Sequence, residues 1–309
     1  MSKIYDELMK KNFIICIPSR KRTHLIEKEI GIWKYFLRKN LKEVYYPLIL
    51  FVREEEIDLY QQKLLLKKSK ITLYKVPNNF SIADKRNAML DYAKELKKDY
   101  LFIIDDDIDF YYREESLSSK YTNKYETLME KDTVNKILLE SVLLCNENYP
   151  AIGLPLKQGS QGRKYTFEKN VPIIRFVCYH VPTLIKENLK LNGLGTIFMS
   201  DRYIQMELVN RGYRTLTNCR YAIGDMGTGY KGGCSVTRNP EDQEKAARAL
   251  KAKFPDYIEL KLKSNGVWNE ERIDCNLKLK VYLKEDELKY IPIEEGLKIL
   301  KEERIENEI

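Results

Sequence analysis

Histidine is nearly absent, with only His24 and His180, and the six cysteines (Cys16, Cys145, Cys178, Cys219, Cys234 and Cys275) contain no C-x-x-C pair. That scarcity argues against a structural zinc site, which needs several such ligands at short spacing. No apolar run approaches the roughly 20 residues that span a bilayer. Residues 1–12 are charged, and the apolar run at 13–17 is too short for the core of a secretory signal. These absences predict a soluble protein of a reducing cytoplasm, with no membrane partner. There are no internal repeats and no Pro/Gly/Ser-rich linker. A chain of 309 residues is therefore expected to form one large domain with appendages, or two domains in contact.

Charge is plentiful. The chain has 54 Lys+Arg against 46 Asp+Glu, a net charge of +8, which favours an anionic partner such as nucleic acid, a nucleotide or a lipid headgroup. Lysine, isoleucine, asparagine and tyrosine are all abundant, however, and AT-rich coding produces the same bias. The charge alone does not choose the partner.

Apolar patterning gives alternating strands and helices over the first hundred residues. Residues 13–17 lack a polar/apolar alternation and read as a strand buried on both faces, ended by Pro18-Ser19-Arg20. Ile26, Ile30, Trp33 and Leu37 then predict one helix of about 15 to 18 residues. Strands are expected at 47–52 and 71–76, with a charged helix between them. The next helix starts near Ser81, where Ser81 and Asp84 form a capping-box pattern. This order implies a parallel α/β sheet with helices on both faces.

The pattern breaks after residue 110. Residues 110–131 read as a loop, 134–145 as a helix, and 151–156 and 173–181 as strands. Residues 157–169 read as a hairpin tip or basic loop. Ser200 or Asp201 is expected to cap a helix that Gly212 ends. The glycine-rich run with Gly227, Gly229, Gly232 and Gly233 around Lys231 is not a P-loop, because Lys231 is followed by glycine. Asn239-Pro240-Glu241-Asp242 is a strong helix start.

The chemically loaded stretch is Tyr100-Leu101-Phe102-Ile103-Ile104-Asp105-Asp106-Asp107-Ile108-Asp109. A buried strand runs directly into four carboxylates at its carboxyl end, where open α/β sheets bind ligands. Such a cluster is either a solvated acidic turn, or it needs a metal, a basic partner or shifted pKa values. Three other features converge on it. Arg86 and Asn87 lie in the opening turn of a helix, which favours anions. Pro18, Ser19 and Arg20 end a parallel strand on the same sheet edge. Asp201 opens a later helix, either as its cap or, if it faces the cleft, as a base for an attacking hydroxyl.

Together these stretches resemble the GT-A glycosyltransferases. Ile17-Pro18-Ser19-Arg20, Ala83-Asp84-Lys85-Arg86-Asn87, Asp105-Asp106-Asp107, and Ser200-Asp201 leading to Gly212-Tyr213-Arg214 follow that family's order over roughly residues 13–220. More narrowly, residues 82–110 and the Gly227-Thr228-Gly229 and Gly232-Gly233-Cys234-Ser235 run resemble the phage-type glycosyltransferases associated with TET/J-binding-protein hydroxylases. That subgroup attaches sugars to hydroxymethylated pyrimidines in DNA. Two departures stand out. Ser200 occupies the position where the broader family usually has Glu, and Val52-Arg53-Glu54 replaces the acidic pair that often reads uracil.

The resemblance implies a mixed, mostly parallel Rossmann-like GT-A sheet with helices on both faces. Residues 1–235 would form the core, with a nucleotide-sugar half at about 1–110 and an acceptor half at about 130–235. Residues 236–309 would be an α+β extension packed on it. It also implies an inverting transferase in which Asp107 binds Mn²⁺ or Mg²⁺ and Asp105 reaches the ribose, or the metal through water. Pro18, Ser19, Arg20, Arg86, Asn87, Asp106 and Lys231 would serve a nucleoside diphosphate sugar, expected to be a UDP-sugar. Asp201 would be the base, and DNA in a phage-infected cytoplasm the acceptor. Tyr111-Tyr112-Arg113, Lys120-Tyr121, Lys124-Tyr125 and Arg163-Lys164-Tyr165 are candidate DNA contacts. The alternatives are a saccharide or protein acceptor, a nucleotidyltransferase, or a nucleic-acid-binding module on a degenerate transferase fold.

Overall fold

The computed structural model describes residues 2–37, 46–113, 121–122, 131–158, 165–225, 232–236, 239–264, 271–279, 291–292, 295 and 298. Strands β1 (Phe13–Pro18), β2 (Leu48–Arg53), β3 (Thr72–Val76) and β4 (Tyr100–Ile104) form a parallel run in the spatial order β3-β2-β1-β4. Helices α1 (Lys3–Met9), α2 (Thr23–Lys28), α3 (Trp33–Phe36), α4 (Ile57–Leu66) and α5 (Ile82–Glu95) connect or flank them. The sheet continues through β9 (Phe176–His180), β7 (Ala151–Gly153), β10 (Thr215–Asn218), β8 (Tyr165–Lys169) and β14 (Ile291–Pro292). The β4–β9 and β9–β7 pairs are antiparallel, and β10 is parallel to β7. The sheet is therefore mixed, with helices on both faces.

The unbroken apolar strands follow from burial on two sides. Phe13, Ile15 and Ile17 of β1, with Phe102 and Ile104 of β4, point into a core shared with α1, α2, α3, α4 and α6 (Lys131–Leu144). Ile14, Cys16, Leu101 and Ile103 point the other way. They meet α5, α7 (Val181–Lys186) and α8 (Ser200–Asn210).

Three local expectations are corrected. The single helix over 26–37 is two short helices, because the chain turns left-handed at Glu29 (φ 52°) and Gly31 (φ 62°). A Cβ on Gly31 would lie 2.8 Å from the Asp106 carbonyl oxygen, so the break lets the chain pass beneath the acidic turn. The expected loop over 110–131 is overlapped at its start by strand β5 (Ile108–Arg113), which pairs with β11 (Tyr221–Asp225) and β6 (Tyr121–Thr122). Its alternation was hidden by aromatic residues that are apolar on one side and wet on the other. Most of the rest of that segment lies outside the described residues, as do 159–164, while 165–169 is strand β8. Finally, neither Ser200 nor Asp201 is the cap of α8. Met199 is, without a side-chain bond, and both polar residues sit in the first turn.

Beyond residue 236, α9 (Pro240–Lys253), capped by Asn239, packs with the hairpin β12 (Ile258–Lys263) and β13 (Arg272–Leu277). Ala246, Ala247, Leu250 and Phe254 bury themselves against Phe198, Tyr203, Met206 and Val209, on and just before α8. α8 is thus sandwiched, with Ile204 and Leu208 in the sheet core and Met206 and Val209 in this third cluster. Leu250 is fully buried. Leu250→Ala should therefore lower the unfolding free energy by about 2–5 kcal/mol in a denaturant titration. A loss under about 1 kcal/mol would show that α9 is not part of the core.

Candidate functional site

The carboxyl ends of β1 and β4 open into one cavity of about 610 Å³, within the range of small-ligand sites. It is lined by Pro18 at the end of β1, Ser19 and Arg20 after it, Arg53 at the end of β2, Lys85 and Arg86 from α5, and Asp105, Asp106 and Asp107 after β4. Ile174, Arg175, Phe198, Met199, Asp201 and Arg202 form the opposite side, and Gln243, Arg272 and Asp274 come from the C-terminal unit. The predicted residues Pro18, Ser19, Arg20, Arg86, Asp105, Asp106, Asp107 and Asp201 are thus brought together. Lys231 and its neighbours Gly227 and Gly229 lie outside the described residues.

Asn87 does not line this cavity. Its amide oxygen accepts the Leu191 N–H at 2.9 Å and its amide nitrogen donates to Asp91 at 2.8 Å, which fastens α5 to the chain after α7. Asp109 pairs with Lys34 at 2.6 Å. Tyr111 lies across Gly224, where a Cβ would be 2.6 Å from its ring, with Lys157 Nζ 4.2 Å from the ring centroid.

The three aspartates are handled differently. Asp106 turns inward and is 1% exposed. One of its oxygens accepts from Ser19 Oγ and the other from Arg22 at 2.5 Å. Ser19 Oγ also meets the Tyr60 hydroxyl at 2.7 Å. Asp107 faces the cavity and pairs with the same Arg22 guanidinium at 2.9 Å. Burial, then the neighbouring Asp106 charge, pushes the Asp107 carboxyl up to about 6, against the pull of Arg22. Asp105 is held by its backbone, whose N–H donates to the Arg175 carbonyl at 2.8 Å, and by Arg86 at 3.3 Å.

Arg86 links the acidic turn to α8. It donates to Ser200 Oγ at 3.1 Å, and its guanidinium lies 3.8 Å from the Asp201 carboxylate. Burial works against its charge, but Asp105 and Asp201 outweigh that and hold its pKa above the ordinary arginine value. Asp201 accepts the Arg202 N–H at 2.9 Å through one oxygen, and its side chain stays 26% exposed towards the cavity.

Three residues in or next to this lining carry backbone strain. Lys21, Arg175 and Met199 have φ of 52°, 64° and 64°, the left-handed region that side chains other than glycine rarely enter. Each adjoins a residue that shapes the cavity: Arg20 and Arg22, Asp105 through the Arg175 carbonyl, and Asp201 two residues past Met199.

Sequence reasoning missed Arg22, Arg53, Lys85, Arg175 and the C-terminal trio. The dense Arg20-Lys21-Arg22 run was the available signal for Arg22. Along the lining, Arg20, Arg22, Arg53, Lys85, Arg86, Arg175, Arg202 and Arg272 outnumber the carboxylates of Asp105, Asp106, Asp107, Asp201 and Asp274. The cavity is built for an anion. Asp105 and Asp107 offer carboxylate oxygens, the donor type that Mg²⁺ and Mn²⁺ take; among the described residues no three acidic, His or Cys side chains come together as a complete cage.

Lys85 is 3% exposed, donates to the Ser19 carbonyl at 2.7 Å, and is lowered by burial to about 8. It is a cation below that pH and neutral above it. Affinity for an anionic probe such as inorganic pyrophosphate, measured by calorimetry, should therefore weaken as pH rises from 7 to 9, and Lys85→Met should flatten that dependence. An unchanged slope in the variant would remove Lys85 from the anion site.

No family model matches the chain, and no curated protein matches it. Among solved structures, it is similar to S. aureus TarS 1-349 in complex with UDP, at 11% identity over 79% of this chain and 66% of that one, with a TM-score of 0.44. It is also similar to mannose-1-phosphate geranyltransferase from Thermus thermophilus, at 10% identity over 74% and 80% of the two chains, with a TM-score of 0.42. A third similar structure is 4-diphosphocytidyl-2C-methyl-D-erythritolsynthase from Anaerococcus prevotii, at 13% identity over 82% and 99%, with a TM-score of 0.36. The chain spans 66% of the length of the TarS chain. These are likenesses of architecture, and the functional reading rests on the cavity itself.

Proposed function

We propose that this chain is a GT-A-type glycosyltransferase that moves a sugar from a nucleoside diphosphate sugar, a UDP-sugar by preference, to a hydroxyl acceptor in a single inverting displacement. The observation that carries the reading is the convergence of Asp105, Asp107, Arg86 and Asp201 on one cationic cavity, with Arg86 within reach of both the acidic turn and Asp201. A nucleic-acid-binding module on a degenerate transferase fold has no need of that arrangement.

In this reading Asp105 and Asp107 would hold Mn²⁺ or Mg²⁺, which would supply positive charge against the leaving diphosphate. Arg175, Arg20 and Lys85 supply fixed positive charge along the same cavity, where it acts as the diphosphate departs. Asp201 takes the proton of the acceptor hydroxyl as that oxygen attacks the anomeric carbon. Arg86, 3.8 Å away, orients Asp201. The proton ends on Asp201, the sugar on the acceptor oxygen, and the electron pair of the broken bond on the nucleoside diphosphate.

The proposed acceptor is a hydroxymethylated pyrimidine in phage DNA, modified in the host cytoplasm. It is supported by the net charge of +8 and by the sequence resemblance. The target base would have to leave the duplex to present its hydroxymethyl group. A panel of nucleoside diphosphate sugars incubated with DNA containing hydroxymethyluracil, hydroxymethylcytosine or neither, digested and read by nucleoside mass spectrometry, tests both substrates. A hexose or pentose increment on one modified nucleoside is the expected result. Sugar-nucleotide turnover with no such increment would move the acceptor to a saccharide or protein.

Asp201→Asn should lower the transfer rate by about 10²–10⁴-fold, the usual range for a lost general base, with UDP affinity within about twofold of wild type. Near-normal turnover would remove Asp201 from the chemistry.

A further inference from the structure

Arg22 is the cation at the acidic turn to which the proposed chemistry gives no task. Its side chain is 9% exposed and spans two carboxylates, Asp106 at 2.5 Å and Asp107 at 2.9 Å. The buried Nε atom has no hydrogen-bond partner. Gly232 and Gly233 close over the side chain: a Cβ on Gly233 would lie 2.6 Å from Arg22 Cζ, and one on Gly232 2.5 Å from its Cγ. The Gly233 N–H donates to the Arg20 carbonyl at 2.8 Å, which ties this cover to the β1 end of the cavity. The Arg22 backbone N–H is fixed as well, donating to the Tyr60 hydroxyl at 3.1 Å.

Asp106 is fully engaged, with one oxygen on Ser19 and the other on Arg22. Asp107 therefore has the carboxylate that a cation and Arg22 must share. A divalent ion on Asp107 would sit within a few ångströms of a buried guanidinium, where like charges repel strongly in a poorly screened environment. A guanidinium cannot escape the conflict by losing its proton.

We infer that Arg22 is the resident counter-charge of the aspartate turn and withholds Asp107 from free divalent cations. The inference rests on the reading of Asp105 and Asp107 as the carboxylates that would hold the donor's cation. It makes Arg22 a positioning residue, acting through Asp107 rather than on substrate.

Nucleotide-free Mn²⁺ binding to the full chain, followed by the loss of the free-ion electron paramagnetic resonance signal, tests it. Arg22→Gln should bind Mn²⁺ at least tenfold more tightly than wild type, and adding Asp107→Asn to that variant should abolish the gain. Arg22→Lys, which keeps a cation but ends about one bond short of the Nη1 that meets both carboxylates, should give a smaller gain of threefold or more and keeps the test open if Arg22→Gln does not fold. Folded variants that bind Mn²⁺ no more tightly than wild type overturn the inference, as does a gain that survives Asp107→Asn. Sugar-nucleotide turnover is no part of this readout. Failure of the transferase reading would appear as absent turnover, whatever the Mn²⁺ comparison gives.

Discussion

Three consecutive aspartates at the end of a buried strand repel one another, and much of the surrounding fold answers that repulsion. Asp106 is withdrawn into the protein and paired, Asp107 shares its partner, and Asp105 is given to a second arginine. Breaking one member of such a buried set leaves an uncompensated charge, which is costly. The pieces that supply the compensation come from widely separated places. Arg22 follows β1, Arg86 comes from α5, Ser19 is braced by Tyr60 of α4, and Gly31 makes room under the turn. The first hundred residues therefore do more than present the carboxylates. They set which aspartate faces the cavity and which does not.

The second half of the chain is coupled to this centre through the β4–β9 pair. Because β9 runs antiparallel beside β4, the residues just before β9 lie next to those just after β4, and the Arg175 carbonyl meets the Asp105 amide. α8 then brings Ser200 and Asp201 to Arg86. The C-terminal unit completes the wall through Arg202, whose guanidinium donates to the Cys275 carbonyl at 2.8 Å and to Asp274 at 3.2 Å. The acidic turn and the start of α8 thus share one strand pair and one arginine.

The parts legible in the sequence were those whose cause is local. Residues 13–17 and 100–104 declare double-sided burial by having no polar position, and Ser81 with Asp84 declares a helix start that the structure forms in full. The acidic turn was legible for the same reason. Its counter-charges were not: the Arg22 to Asp106 contact joins residues 84 apart in the chain, and nothing in either segment encodes the other. The broken helix at Gly31 was missed because its cause is a carbonyl of the distant acidic turn. Gln243, Arg272 and Asp274 sit in no motif, and only tertiary packing of α9 and the β12–β13 hairpin brings them to the cavity.

The left-handed backbone at Lys21, Arg175 and Met199 has a bearing on how this protein responds to engineering. Glycine at any of these positions would relieve local strain against the opposing cost of a larger unfolded ensemble; where the relief is the larger of the two, a search for thermal resilience would be drawn to the very residues that aim Arg22, Asp105 and Asp201. Resilience and aim would be selected in opposite directions there. Variants hardened on the far face of the sheet, around α1 and α6, face no such conflict.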